Sequence, residues 1–119
     1  DPEAWYASAA RTIVATMETP LRPGDGVRPK HRALTRAMIL ERTFGGRFHD
    51  KAHALAVYEA HRRAVLEAVP PAQRLRFDVE DGWGPLCAFL GLAEPSQPFP
   101  RENSTAAFST LFGPPSAAS

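Results

Sequence analysis

The chain has 119 residues, a mass of 13.0 kDa and 44% hydrophobic residues, which suits one packed domain and excludes disorder throughout. Its apolar runs fall short of the roughly 20 residues needed to cross a bilayer, and the formal net charge is only +1, so we expect neither a membrane nor a nucleic acid as partner. The absence of a secretory leader and the single cysteine, which cannot form an internal disulfide, favour a soluble, cytoplasmic protein.

The chain opens with a predicted helix from Pro2 to about Met17. Asp1 is a suitable N-cap, Pro2 fits the first helical position, and apolar residues follow at helical spacing (Trp5, Ala9, Ile13). The next stretch, ETPLRPGDGVRP, is dense in proline and glycine and cannot continue a helix. Residues 19–29 are therefore predicted to form a flexible loop, either a lid or an exposed connection.

Two further helices are predicted in the middle of the chain. One runs from Lys30 to Thr43 and stops at the Gly45-Gly46 pair. The other is capped by Asp50, carries apolar residues at three- and four-residue steps and ends at Pro70-Pro71.

The last part of the chain contains one predicted strand. RLRFDV alternates apolar and charged residues with a period of two, which predicts a strand that must pair with strands supplied from elsewhere. Short helices are predicted from Trp83 to Leu90 and after Asn103 or Ser104, and residues 113–119 are predicted to be a frayed tail.

Charge is distributed unevenly along the chain. A basic belt between residues 22 and 47 has a local excess of five positive charges, and its cations are Arg22, Arg28, Lys30, Arg32, Arg36, Arg42 and Arg47. One interpretation is a surface for phosphate, sulfate or an acidic partner, and the other is a solvated helix face beside a loop.

The usual chemical motifs are missing from these residues. His49 and His53 are four apart, but His61 lies about 80° around the helix from His53 and no further ligand stands at metal spacing, so no metal is expected. Cys87, in the apolar context PLCAFL, is interpreted as a small core residue. The sequence has no GxxxxGK[ST], GxGxxG or GxSxG pattern.

Three stretches read together resemble a known family: DPEAWYAS, GRFHDKAHALAVYEAH, and RLRFDVEDGWGPLCAFLGL with the trailing QPFPREN. In this order they are similar to the C-terminal half of sulfotransferase-family proteins, relatives of enzymes that use 3′-phosphoadenosine 5′-phosphosulfate (PAPS). The resemblance covers residues 1 to about 108. It implies an α/β fold, of which this chain is the C-terminal, mostly helical part of a P-loop-like parallel-sheet sulfotransferase domain extending over residues 1–112.

The resemblance also implies candidate binding residues. In the family an arginine stands directly before the Asp-Pro pair, and a serine eight positions after that arginine joins it on the nucleotide 3′-phosphate. Ser8 stands at the serine position, and the arginine would fall immediately before Asp1. PFPREN resembles a segment that folds back toward the nucleotide, which makes Arg101 and Asn103 candidates for the phosphate or the rim, while Phe77 is either near the adenine or a core residue.

The function implied is transfer of a sulfuryl group from PAPS to an acceptor hydroxyl or amine. The loop that holds the 5′-phosphosulfate and the catalytic base belong, in the family, to segments upstream of this region, so we expect the isolated chain to be inactive. The alternative is a noncatalytic helical module that binds an acidic partner through the basic belt, from Arg22 to Arg47.

Overall fold

The computed structural model describes residues 1–21, 23–24, 29–102 and 104–112. The predicted loop 19–29 lies partly outside these residues, and the predicted tail 113–119 lies wholly outside them. The fold begins with helix α1, a continuous helix made of Pro2–Ala9, a π-helical stretch Ala10–Val14, and Ala15–Glu18. The Asp1 side chain accepts a hydrogen bond from the Glu3 N–H at 2.9 Å, so the predicted cap and first helix are confirmed.

Helix α2 consists of Pro29–Arg36 followed by a π-helical stretch, Ala37–Thr43. It ends where predicted, because Gly45 and Gly46 have φ values of 60° and 72°, a region that side-chain-bearing residues rarely adopt. The Gly46 N–H donates to the Leu40 carbonyl at 2.8 Å and closes the end of the helix. The turn that follows places Phe44 and Phe48 in the hydrophobic core.

Helix α3 spans Lys51–Ala68 and is the longest element described. The Asp50 side chain caps it by accepting from the His53 N–H at 3.1 Å. At its other end the Arg74 guanidinium donates to the carbonyls of Leu66 and, at 2.7 Å, Val69. Both ends of the helix therefore have side-chain partners for their free backbone groups.

The predicted strand does not form as a strand. Residues 74–78 are extended, with φ and ψ of −133° and 144° at Arg74 and −109° and 138° at Asp78, but no described residue pairs with them in a ladder. Short 3₁₀ turns flank the segment, Pro71–Gln73 before it and Val79–Asp81 after it. The prediction of local extended backbone was right and the prediction that Val79 continues it was wrong, because Asp78 caps a turn there.

Two shorter helices complete the described chain. Helix α4 is Trp83–Leu90 and ends at Gly91, whose φ of 68° is left-handed. Helix α5 is Thr105–Phe112, and the Ser104 hydroxyl accepts from the Ala107 N–H at 3.1 Å. Both helices agree with the sequence prediction.

The core lies where α1, α2 and α3 meet. It is built from six buried residues, Val14, Met17, Leu40, Phe44, Phe48 and Ala54. Aromatic rings join the three helices, with ring centroids 4.6 Å apart for Trp5 and Tyr58 and 5.1 Å apart for Tyr6 and Phe48. Helix α5 packs against the Ala10–Val14 stretch of α1.

A second, smaller apolar cluster forms around α4. The Phe99 ring lies 4.8 Å from Trp83 and 5.6 Å from Phe77, centroid to centroid, and the Trp83 Nε1–H donates to the Gln97 carbonyl at 2.7 Å. Cys87 is buried, as predicted for a small core residue. Phe77 is half-buried in this cluster, which agrees with its interpretation as a packing residue.

The fold class is therefore seen in part. The described residues are mostly helical, as expected for the helical part of the predicted domain, and they contain no strand and no parallel sheet. A sheet cannot form from them because they include a single extended segment with strand-like patterning.

Candidate functional site

Ser8 lies on α1 and is half-buried. Its carbonyl accepts a hydrogen bond from the Thr12 hydroxyl at 2.7 Å, and Thr12 itself is buried. No hydrogen bond joins the Ser8 hydroxyl to another described residue. Ser8 lies two residues before Ala10–Val14, the stretch of α1 against which α5 packs.

Arg101 lies in the extended segment that leads into α5. Its side chain is 69% exposed and its Nη1 is 3.8 Å from Glu80 Oε1, on a carboxylate that is 76% exposed. An ion pair this long and this exposed contributes little to stability.

The structure does not join the three predicted binding residues into one formed site. No hydrogen bond or ion pair connects Ser8 with Arg101, and Asn103 lies outside the described residues. The relation between the two described candidates is indirect, because α5 begins four residues after Arg101 and packs against Ala10–Val14, a stretch that starts two residues after Ser8.

A pocket that the sequence did not predict lies at the other end of α1. It has a volume of about 210 Å³, and its lining residues are Glu18, Arg36, Leu40, Glu41, Gly46, Phe48 and His49. His49 Nε2 is 2.8 and 2.9 Å from the two carboxylate oxygens of Glu18, and the Tyr6 hydroxyl donates to the His49 carbonyl at 3.5 Å. These residues are 31 or more positions apart in the sequence, so no local pattern could have indicated the arrangement.

A second histidine, His53, has a local structural role. His53 Nε2 donates to the Phe44 carbonyl at 2.9 Å and holds the turn before α3. Within the described part of the chain, no three His, Cys, Asp or Glu side chains are grouped so that they could hold a metal ion.

Three cations of the basic belt bind partners within the fold. Arg32 donates to the carbonyls of Thr16, Met17 and Thr19 at the end of α1, and Arg36 donates to Met17 at 3.4 Å. Arg47 is paired with Asp50 at 2.7 Å. Lys30 and Arg42 are exposed and have no ion-pair partner among the described residues, and Arg22 and Arg28 lie outside the part of the chain that the structure describes.

Among the described residues, two carboxylates have pKa values below their ordinary values. The backbone N–H of His53 lowers the pKa of Asp50, and the hydrogen bond from Arg47 adds to the effect. The hydrogen bond from Arg62, at 2.7 and 2.9 Å to the two oxygens, lowers the pKa of Glu59. Neither group lies beside Ser8 or lines the pocket, so these shifts belong to helix α3 and its cap.

The described part of the chain is thus mostly helical, with Ser8 half-buried on α1 and Arg101 exposed in the segment before α5. A family model of the sulfotransferase domain matches residues 1–108, which include all three stretches that carry the resemblance. The chain therefore belongs to the sulfotransferase domain family. No curated protein matches the sequence, and no helix among the described residues has both the length and the apolar character needed to cross a membrane.

Proposed function

We propose that this protein takes part in the transfer of a sulfuryl group from PAPS to a hydroxyl or amine of a small-molecule acceptor. The observation that carries the proposal is the sulfotransferase domain match over residues 1–108. A transferase of this family needs a sulfuryl donor, and PAPS is the donor that the resemblance implies.

In this proposal the residues of the chain hold the nucleotide. The Ser8 hydroxyl donates a hydrogen bond to the 3′-phosphate, and its availability among the described residues supports that role. Arg101 neutralises phosphate charge from the segment before α5, for which its exposed side chain and long contact with Glu80 leave it free. Asn103 is assigned to the same rim from its place in PFPREN.

The chemistry is an in-line displacement. The bond between sulfur and the phosphate oxygen breaks as the acceptor oxygen or nitrogen bonds to sulfur, and the acceptor proton passes to a base. Holding the nucleotide phosphates contributes by orienting the donor and by stabilising the charge that develops on the leaving phosphate. The residues described supply neither the base nor the loop on the sulfate side, so catalysis in this proposal needs further elements.

A binding module built on the basic belt is the less supported function. Arg32, Arg36 and Arg47 already have partners within the chain, and only Lys30 and Arg42 remain unpaired among the belt's described residues. Among the described residues this function therefore has less support than the family match gives to sulfuryl transfer.

The test is selective loss of phosphate binding in the native protein that contains this sequence. Ser8→Ala removes one hydrogen bond to a charged group, worth roughly 1.5 to 3 kcal/mol, so affinity for 3′-phosphoadenosine 5′-phosphate is expected to fall about ten- to a hundred-fold. Affinity for the analogue without the 3′-phosphate is expected to stay unchanged. Both are measured by calorimetric titration.

Ser96→Ala is the matched control, because Ser96 is an exposed serine in a bend outside the candidate site. Equal affinities of wild type and Ser8→Ala for the 3′-phosphorylated nucleotide would show that Ser8 does not contact the 3′-phosphate. A parallel loss for both nucleotides would show a folding defect in place of a phosphate contact.

A further inference from the structure

Thr12 is the only buried residue with a polar side chain among the residues described, with 7% of its surface exposed. Burying a hydroxyl costs free energy unless it is hydrogen-bonded, and a valine would fill a similar space without that cost. The Thr12 hydroxyl donates to the Ser8 carbonyl at 2.7 Å, across one turn of α1. The polar group at this buried position is therefore bonded to the residue that we assign to the nucleotide.

This hydrogen bond lies where the backbone of α1 changes its pattern. The π-helical stretch Ala10–Val14 begins two residues after Ser8, and the Ala10 N–H divides its hydrogen bond between two carbonyls of the preceding turn. A threonine hydroxyl that binds the carbonyl four residues earlier also bends a helix locally. The direction of the backbone at Ser8 therefore depends on the Thr12 side chain as well as on the helix ladder.

We propose that Thr12 is a positioning residue for Ser8 in nucleotide binding. The Ser8 hydroxyl makes no hydrogen bond to another described residue, so its direction is set by the backbone that carries it. By binding the Ser8 carbonyl, Thr12 fixes the angle at which that hydroxyl meets the 3′-phosphate, and a hydrogen bond weakens steeply when its angle is poor. The inference rests on the proposed function of Ser8 and adds a residue that does not touch the ligand.

Thr12→Val in the native protein that contains this sequence tests the inference, because it removes the hydroxyl and keeps the branched side chain. Affinity for 3′-phosphoadenosine 5′-phosphate is expected to fall about two- to tenfold, the loss typical of one neutral hydrogen bond. Affinity for the analogue without the 3′-phosphate is expected to stay unchanged. Thr12→Ser keeps the hydroxyl and is expected to recover most of the affinity, and calorimetric titration measures each value.

A double-mutant cycle separates positioning from direct contact with the phosphate. Because Thr12 acts through Ser8, Thr12→Val is expected to cost no further affinity in a Ser8→Ala background, whereas an independent contact would add its own loss. Thr35→Val is the matched control, since the Thr35 hydroxyl makes the same kind of bond on α2, to the His31 carbonyl at 2.9 Å. It is expected to bind both nucleotides like wild type.

The contrary results separate this inference from the proposed function. An equal loss of affinity for both nucleotides in Thr12→Val would show that the residue serves folding alone and would overturn the inference. Wild-type affinity of Thr12→Val, beside the expected loss in Ser8→Ala, would overturn the inference and leave the proposed function in place. Wild-type affinity of both variants for the 3′-phosphorylated nucleotide would overturn the roles of Thr12 and Ser8 together.

Discussion

At the scale of single residues, Asp50 joins the turn before α3 to the helix itself. One carboxylate oxygen accepts from the His53 N–H and the other pairs with Arg47 at 2.7 Å, and both contacts stabilise the charged form and lower the pKa of Asp50. The same turn is held by His53 on Phe44 and by Tyr6 and Glu18 on His49. Asp50 therefore stabilises the turn between α2 and α3, and this turn places Phe48 in the core.

Asp50→Ala is expected to lower the Tm at pH 7 by a few degrees, because α3 loses its cap. The folded pKa of Asp50 lies below its ordinary value of 3.8, so the stabilisation is complete above that value and is lost as the pH falls through the folded pKa. Thermal unfolding from pH 7 to about pH 2 is expected to show a gap between wild type and variant that is constant above about pH 4 and narrows below it.

Glu67→Ala is the matched control, an exposed carboxylate on the same helix. It is expected to change the Tm little at any pH. A gap for Asp50→Ala that stays constant down to low pH would mean that the cap does not depend on the charge of Asp50.

At the scale of the elements, α1 and α2 are connected by arginines that donate to helix-terminal carbonyls. The end of α1 leaves the carbonyls of its last turn without helical partners, and Arg32 and Arg36 of α2 occupy them. A cation at a helix C-terminus also interacts favourably with the helix dipole. These contacts fix the separation of two helices whose connection is rich in proline and glycine.

Arg32→Ala is expected to reduce the free energy of unfolding by about 1 to 3 kcal/mol, since it leaves several carbonyls without a charged donor. Arg32→Lys is expected to recover part of this, because an ammonium group lacks the forked geometry of the guanidinium. Urea unfolding followed by circular dichroism gives both values. Arg42→Ala, at an exposed arginine of the same helix, is expected to stay within about 0.5 kcal/mol of wild type, and an equal effect of Arg32→Ala and Arg42→Ala would contradict the capping role.

At the scale of the whole molecule, the fold is less compact than expected for a chain of this length. Its radius of gyration is 17.7 Å, compared with about 13 to 14 Å for a compact domain of this size. Large apolar side chains are exposed on several elements, among them Leu34, Met38, Leu90 and Leu92. The described helices thus leave apolar surface and an unpaired extended segment, residues 74–78, uncovered.

The 119-residue chain by itself is expected to show no sulfuryl transfer with PAPS and a panel of phenols, amines and sugars. The described residues form no parallel sheet, at whose carboxyl edge ligands bind in open α/β folds, and the sequence contains no phosphate-binding loop motif. Radiolabelled sulfate transfer, with an active sulfotransferase as positive control, measures this. Turnover that copurifies with the chain would refute the expectation.

The local features of the fold could be predicted because their causes are local. The Asp50 cap, the Gly45-Gly46 and Gly91 stops and the three- and four-residue apolar steps all act within a few residues, and each predicted helix is present. The family could also be identified from residues that are close together in each stretch. The predicted strand is not formed, because a period of two predicts only extended backbone, whereas a strand also needs a second strand with which to pair.

What the sequence by itself determined is where the helices begin and end and which family the chain belongs to. Only the tertiary structure decided which polar groups meet. Arg32 reaches the carbonyl of Thr16 and His49 reaches Glu18 across 16 and 31 positions of the chain, and Phe44, Phe48 and Trp5 come together from separate elements. Such pairings depend on how the helices pack, and packing follows from the shape and burial of whole faces, which no short window of sequence contains.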